Sequence, residues 1–145
     1  MSSLYTIGFS GKNAKTFFSL LSSQEIKTLI DVRLNNVSQL AGYTKKNDLE
    51  FFLEKICNIK YLHLEILAPT KEILDGYKNK KISWNEYEEK YMTLINNRKI
   101  ENLLKNIDFD HACLLCSEPT ADRCHRRLAA NKLKTLFNID HVIHI

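Results

Sequence analysis

Five short β-rich apolar runs, set between longer stretches of helical period, constrain this chain more than any other feature. Leu4 to Gly8 reads as a buried strand, Thr28 to Arg33 as a second that ends in charge, and Ile59 to Leu64 as a third with Pro69 at its exit. His111 to Cys116 and His141 to Ile145 read as the fourth and fifth. Between these runs the apolar period lengthens. Asn13 is placed to cap a helix through Phe17, Phe18, Leu20 and Leu21. Asn47-Asp48-Leu49-Glu50 has the cap-and-return-glutamate pattern of a helix start, and Ser83-Trp84-Asn85-Glu86 repeats it ahead of Tyr87, Tyr91, Leu94 and Ile95. That second helix is expected to reach about Ile107 with a break near Asn96-Asn97, and a last helix to run from Asp122 to Phe137. Connections of this length are crossovers rather than hairpins. The expected fold is therefore α/β: a single three-layer domain over residues 1–145, with a mostly parallel central sheet of about five strands and helices on both faces.

Composition excludes the alternatives. With 145 residues, 44% of them hydrophobic, the chain can bury one core, and only 4 Gly and 2 Pro rule out collagen-like or low-complexity classes. No apolar run is long enough for a membrane span, and Met1-Ser2-Ser3 leads straight into a strand with no signal-peptide pattern. The expectation is a cytoplasmic protein without a membrane partner. A net charge of +4 permits an anionic partner without requiring one, because the lysines are scattered. Of 4 cysteines, Cys113, Cys116 and Cys124 crowd into one short segment. In a reducing compartment such a cluster points to chemistry, metal or packing before disulfides.

Ligands of α/β sheets bind at the carboxyl ends of the strands. Here those ends read Gly8-Phe9-Ser10-Gly11, Asp31-Val32-Arg33, His63-Leu64-Glu65 and Cys116-Ser117-Glu118, so Asp, Arg, His, Glu and Cys could share a cleft. The densest segment runs from Cys116 to Arg127. If Thr120 or Asp122 caps the last helix, Cys124 lies in its first turn, where the helix dipole and Arg123, His125, Arg126 and Arg127 would favour its thiolate or hold an anion. Arg126 shares the apolar stripe of Ala129, Ala130, Leu133 and Phe137; it is expected to point inward and to need Asp31 or Glu118 as a carboxylate partner. Cys57 and Cys113 read as core residues, Arg123 and Arg127 as a solvated face, and Trp84, Tyr87 and Tyr91 as helix packing rather than a stacking platform. His63 fits a ligand-binding role or a simple bond to nearby backbone equally well. His111, His141 and His144 carry no constellation.

A tetrahedral zinc site from Cys113, Cys116, Cys124 and His125 conflicts with side-chain direction. Residues three apart on a strand face opposite ways, and adjacent helical residues diverge by about 100°. A disulfide or metal pair between Cys116 and Cys124 is better placed. Phosphate loops, GxSxG elbows and HExxH motifs do not occur, so no cofactor is expected.

TIGFS at the first strand, DVR after the first helix, YLHL-E at the third strand, LLCSE at the fourth and RCHRR before the final helix and VIHI together resemble the domain of unknown function 488 family. The resemblance spans nearly the whole chain, and C-x-E-x5-C-H-R is its most specific part. Members of that family typically read TIGHS where this chain has Phe9, and a Leu-Gly-Gly stretch where it has Glu65-Ile66-Leu67-Ala68-Pro69. The resemblance implies an α/β domain whose motif residues gather at one end of the sheet, and no established activity. Carried over residue by residue, its site positions are Gly8, Ser10, Asp31, Arg33, His63, Cys116, Glu118, Cys124, His125 and Arg126.

The expected function is an enzyme acting on an anionic ligand, whether phosphorylated, nucleotide or nucleic-acid-derived. Cys116 or Cys124 would be the nucleophile, His125, His63 or Glu118 would transfer protons, and Arg33 and Arg126 would bind the anion. The alternatives are a non-catalytic module binding nucleic acid or another anion, and a metal site built from Cys116, Cys124 and a histidine.

Overall fold

A computed structural model describes residues 2–36, 42–118 and 121–145. In chain order the elements are β1 (Ser3–Gly8), α1 (Ala14–Ser23), β2 (Thr28–Asp31), α2 (Lys46–Phe51), β3 (Lys60–His63), α3 (Lys71–Lys78), α4 (Trp84–Arg98), α5 (Ile100–Leu104), β4 (Ala112–Cys116), α6 (His125–Phe137) and β5 (His141–His144). A π turn over Phe52–Cys57 continues α2, and a short 3₁₀ turn, Glu65–Leu67, follows β3. The strands form one sheet in the order β3-β2-β4-β1-β5, and every ladder is parallel. The α/β reading of the sequence holds.

Strand alternation splits the core into two layers. Leu4, Ile30, Val32, Ala112 and Leu114 meet the residues of α4, α5 and α6 on one face. Tyr5, Ile7, Leu29, Cys113 and Leu115 meet Phe17 and Leu21 of α1 and Leu49 and Leu53 of the α2 segment on the other. Cys113 is fully buried in this second layer, as its mid-strand position implied.

Two of the sequence-based caps are present. Asn13 Oδ1 accepts from the Thr16 amide at 2.8 Å, and Ser83 with Glu86 forms a capping box. Three boundaries differ. The segment after Gly42 becomes helical at Lys46, and its N-cap Lys45 makes no side-chain bond, so Asn47 lies inside the helix instead of capping it. The break in the long helix falls at Lys99, which takes a left-handed φ of 50°, and not at Asn96-Asn97. The last helix starts at His125, three residues later than Asp122, because Cys124 is extended at φ −141° and ψ 141° and serves as N-cap. Thr120, the other expected cap, lies outside the described residues. Helix α3, unanticipated, is capped by Thr70 Oγ1, which accepts from the Ile73 amide at 3.2 Å.

The topology prepares a crevice at β4. Its neighbours β1 and β2 pass their chains to α1 and α2 on one face, whereas β4 passes its chain to α6 on the other. Loops that diverge to opposite faces leave a gap at the strand ends between them, where ligands of open α/β sheets sit. No helix among the described residues is long and apolar enough to cross a membrane.

Candidate active site at the carboxyl end of β4

Each side of the crevice is built by its own backbone. Beyond β1, the Phe9 and Ser10 amides donate to the carbonyls of Cys116 and Ser117 at 3.2 and 3.0 Å; beyond β2, the Val32 amide donates to Leu115 at 3.2 Å. Gly8 allows this closure. A Cβ there would lie 1.5 Å from the Glu118 carbonyl oxygen and 2.7 Å from Arg126 Nη1.

Arg33 is held by the fully buried Asp31. Its Nε and Nη2 each donate to a different carboxylate oxygen at 2.8 Å, and Nη2 also reaches the Thr44 carbonyl at 2.7 Å. Tyr61 Oη donates to the same carboxylate at 2.6 Å; burial, then the Asp31 charge, hold that phenol protonated. The Phe9 ring lies 5.6 Å from the guanidinium carbon and gives it cation–π support. Arg33 is only 4% exposed, and its Nη1 has no hydrogen-bond partner among the described residues. His63 Nε2 lies 2.9 Å from the Arg33 carbonyl, which realises the backbone-bonding alternative for that histidine.

The cysteines and His125 converge. His125 Nε2 lies 2.7 Å from the Val32 carbonyl, and Nδ1 lies 3.7 Å from Cys116 Sγ. A carbonyl can only accept, so Nε2 carries a proton and Nδ1 is left to receive one from the Cys116 thiol. The Cys124 thiol bonds to Cys116 and lowers its pKa most; the His125 charge, its N–H and the Glu118 amide add to this, and together they outweigh burial. Cys116 is thereby poised well below the usual thiol range. The effect on Cys124 is opposite: its bond to Cys116, then burial, push its pKa up. Burial opposes charge on His125, but the Cys116 thiolate and the Val32 carbonyl more than offset it, and its pKa is raised. At the N-cap of α6 the Arg126 amide and guanidinium draw the Cys124 pKa down, but its bond to Cys116 and burial outweigh them. The extended backbone at Cys124 corrects one expectation. Cys124 and His125 do not diverge, and the ligand atoms of Cys116, Cys124 and His125 all lie within 4.8 Å of one another.

Arg126 points inward as read from its stripe, at 1% exposure, but it has no carboxylate. Its Nε donates to Thr6 Oγ1 at 3.3 Å and its Nη1 to the Glu118 carbonyl at 2.6 Å. Asp31 cannot serve it, because strand alternation puts Asp31 on the α1 face while α6 packs on the other, and Glu118 offers its backbone while remaining exposed. Thr6 Oγ1 also meets His144 Nδ1 at 2.5 Å, a link with no sequence signal.

Above Cys116 opens a cavity of about 650 Å³. Of the ten anticipated positions, Arg33, Cys116, Glu118, Cys124 and His125 line it, and Gly8, Ser10, Asp31, His63 and Arg126 do not. The sequence matches, over residues 13–133, the family described as Domain of unknown function DUF488. The chain belongs to that family. Neither the curated proteins nor the solved structures include a significant match to it.

Cys116, Cys124 and His125 meet a wall that carries no motif in the sequence. Tyr77, Trp84 and Tyr87 line the same cavity, as do Lys78, Lys80, Lys81 and the exposed Arg123, which had been read as a solvated face. Arg127 does face outward, 3.8 Å from Glu88. The one available signal was Trp84 and Tyr87 at i and i+3 behind the Ser83 cap, which places them on one helix face. After β3 the chain forms the Glu65–Leu67 turn. Arg98 Nη1 clamps it by donating to the carbonyls of Ile66 and Ala68 at 2.6 and 2.7 Å.

Proposed function

We propose that this DUF488 protein is a cysteine-dependent enzyme acting on an anionic ligand, with Cys116 as nucleophile. The observation that carries the reading is the Cys116–His125–Val32 relay at the base of a cation-lined cavity. His125 takes the thiol proton on Nδ1, and the thiolate attacks an electrophilic centre of the ligand. The bond to the leaving group breaks with its electron pair, and the imidazolium Nδ1–H returns the proton to that group; water then releases the ligand from sulfur and restores the thiol. Cys124 donates a hydrogen bond to the thiolate. Glu118 lies at the cavity mouth, and an exposed carboxylate there is suited to proton exchange with solvent. Arg33, Arg123 and the three lysines hold the anion. Asp31, Gly8, Ser10, His63 and Arg126 act by positioning Arg33 and the loop of Cys116. A reduced thiol pair of this kind belongs in a reducing compartment such as the cytoplasm.

Paired alkylation tests the reading. Iodoacetate should modify Cys116 faster, relative to iodoacetamide, than it modifies free cysteine, and inorganic phosphate should suppress the excess. Equal behaviour of the two reagents at Cys116 and at free cysteine would remove the anion site.

One observation favours a second reading. The Cys116, Cys124 and His125 donors lie within 4.8 Å of one another, close enough to share one metal ion, and the Val32 carbonyl orients His125 as backbone carbonyls orient metal-bound histidines. Metal analysis of protein purified without added zinc decides it: about one zinc per chain supports a metal centre, and a value near zero ends it. The non-catalytic module predicts oligonucleotide binding that survives Cys116→Ser and falls steeply with salt.

A further inference from the structure

The cavity has two chemically different linings. Trp84 and Tyr87 stack at 4.9 Å and 18°, and Tyr77 meets them edge-on and tilted at 5.5 and 5.3 Å. Helix packing accounts for part of this, yet all three side chains also face the cavity, beside Leu74 and Ile82. The other lining is cationic. The turn that ends α3 runs through Lys80 in a left-handed φ of 59°, with the Lys81 amide donating to the Gly76 carbonyl at 2.8 Å, and it brings Lys78, Lys80 and Lys81 to the rim. The exposed Arg123 adds a fourth cation to this side of the cavity.

Resting on the enzyme reading above, we infer that the ligand is a nucleoside phosphate unit, its base against the Tyr77–Trp84–Tyr87 wall and its phosphate toward Arg123 and the lysines. A sugar phosphate would leave the aromatic wall unused. A plain aromatic ring would leave the cationic rim unused. A space of about 650 Å³ lies in the range that encloses a small organic ligand.

Trp84 is the only tryptophan in the chain, so its fluorescence reports on this wall directly. Adenosine, guanosine, cytidine and uridine monophosphates, ribose 5-phosphate, the matching nucleosides and a short single-stranded oligonucleotide are titrated against the intact protein by fluorescence and calorimetry. At least one nucleotide should quench Trp84 and bind roughly tenfold or more tighter than ribose 5-phosphate, the usual worth of one base stacked on aromatic side chains. The matching nucleoside should bind more weakly, and added salt should weaken the nucleotide. Tyr77→Leu, and separately Trp84→Leu followed by calorimetry, should narrow the gap between nucleotide and ribose 5-phosphate; the Tyr77 variant keeps the test open if the Trp84 variant fails to fold. Oligonucleotide binding at least as tight as the mononucleotide's supports the inference with a strand end as the source, and weaker binding supports it with a free nucleotide. Equal affinity for nucleotide and ribose 5-phosphate overturns it, as does no binding by any phosphate. If binding is absent while Cys116 keeps rapid alkylation at low pH, the thiolate reading survives without this ligand class. If nucleotides bind while Cys116 reacts as an ordinary thiol, the ligand survives and the nucleophile does not.

Discussion

The Val32 carbonyl decides which nitrogen of His125 faces Cys116. With Nε2 committed, Nδ1 is free to take the thiol proton, and the pair settles toward thiolate and imidazolium. The pH dependence follows with its sign. The Cys116 pKa is lowered, so turnover should rise at a pH below that of ordinary thiols, near 8.5; the His125 pKa is raised, so activity should persist above the ordinary histidine value of about 6.5 and fall as the ring loses its proton. His125→Asn should move the alkylation midpoint of Cys116 up toward about 8.5. Cys124→Ala should move it up as well, and Cys124→Ser, which keeps an O–H donor, should move it less. Identical midpoints for the Ala and Ser variants, read by alkylation against pH, would show that the Cys124 hydrogen bond does not set the Cys116 pKa.

At the scale of elements, two substitutions separate fold from site. Gly8→Ala places a methyl group within 1.5 Å of the Glu118 carbonyl oxygen, which must move and take its bond from Arg126 with it. The expected cost is about 2–4 kcal/mol in denaturant unfolding, together with loss of the low-pH alkylation of Cys116. Ser83→Ala removes one side of a capping box on α4 and should cost about 1 kcal/mol. Because that cap sets where α4 begins, and hence where Trp84 points, it should weaken ligand binding more than it alters Cys116. The strands were legible because each is a short run with apolar residues between longer stretches of helical period, and their ends differ from the sequence reading by at most two residues. The helix starts were less so. Cys124 has the look of a first-turn residue because Asp122 could cap, and only the extended backbone at Cys124 shows that it stops short of the helix. Pairing partners were the hardest to foresee. Strand period alone sets Asp31 apart from Arg126, since Ile30 and Val32 take the α6 face, but Arg126 using a hydroxyl and a backbone carbonyl leaves no pattern in sequence.

For the whole molecule, the chain after β4 passes to one face of the parallel sheet and the chains after its neighbours to the other, and the crevice left there receives Cys116, Cys124 and His125. The cavity is completed by α3, α4 and the turn between them, elements whose residues carry no motif. The chemistry was therefore readable as a cluster, while the aromatic and cationic walls needed the tertiary arrangement to bring residues from position 74 to position 87 over Cys116. Reversing charge at the rim checks this arrangement. Lys80→Glu with Lys81→Glu should lower the iodoacetate preference of Cys116 at low salt, leave iodoacetamide reactivity within about twofold, and lose its effect at high salt.

The most direct measurement is the rate of alkylation of each of the 4 cysteines against pH, resolved by peptide mapping. Cys116 should react rapidly at about pH 6, with Cys57, Cys113 and Cys124 slow there, because burial or hydrogen bonding raises all three. Cys116 reacting with the midpoint of a free thiol, or Cys124 reacting first, would contradict the Cys116–His125 pair as the centre of this protein's chemistry.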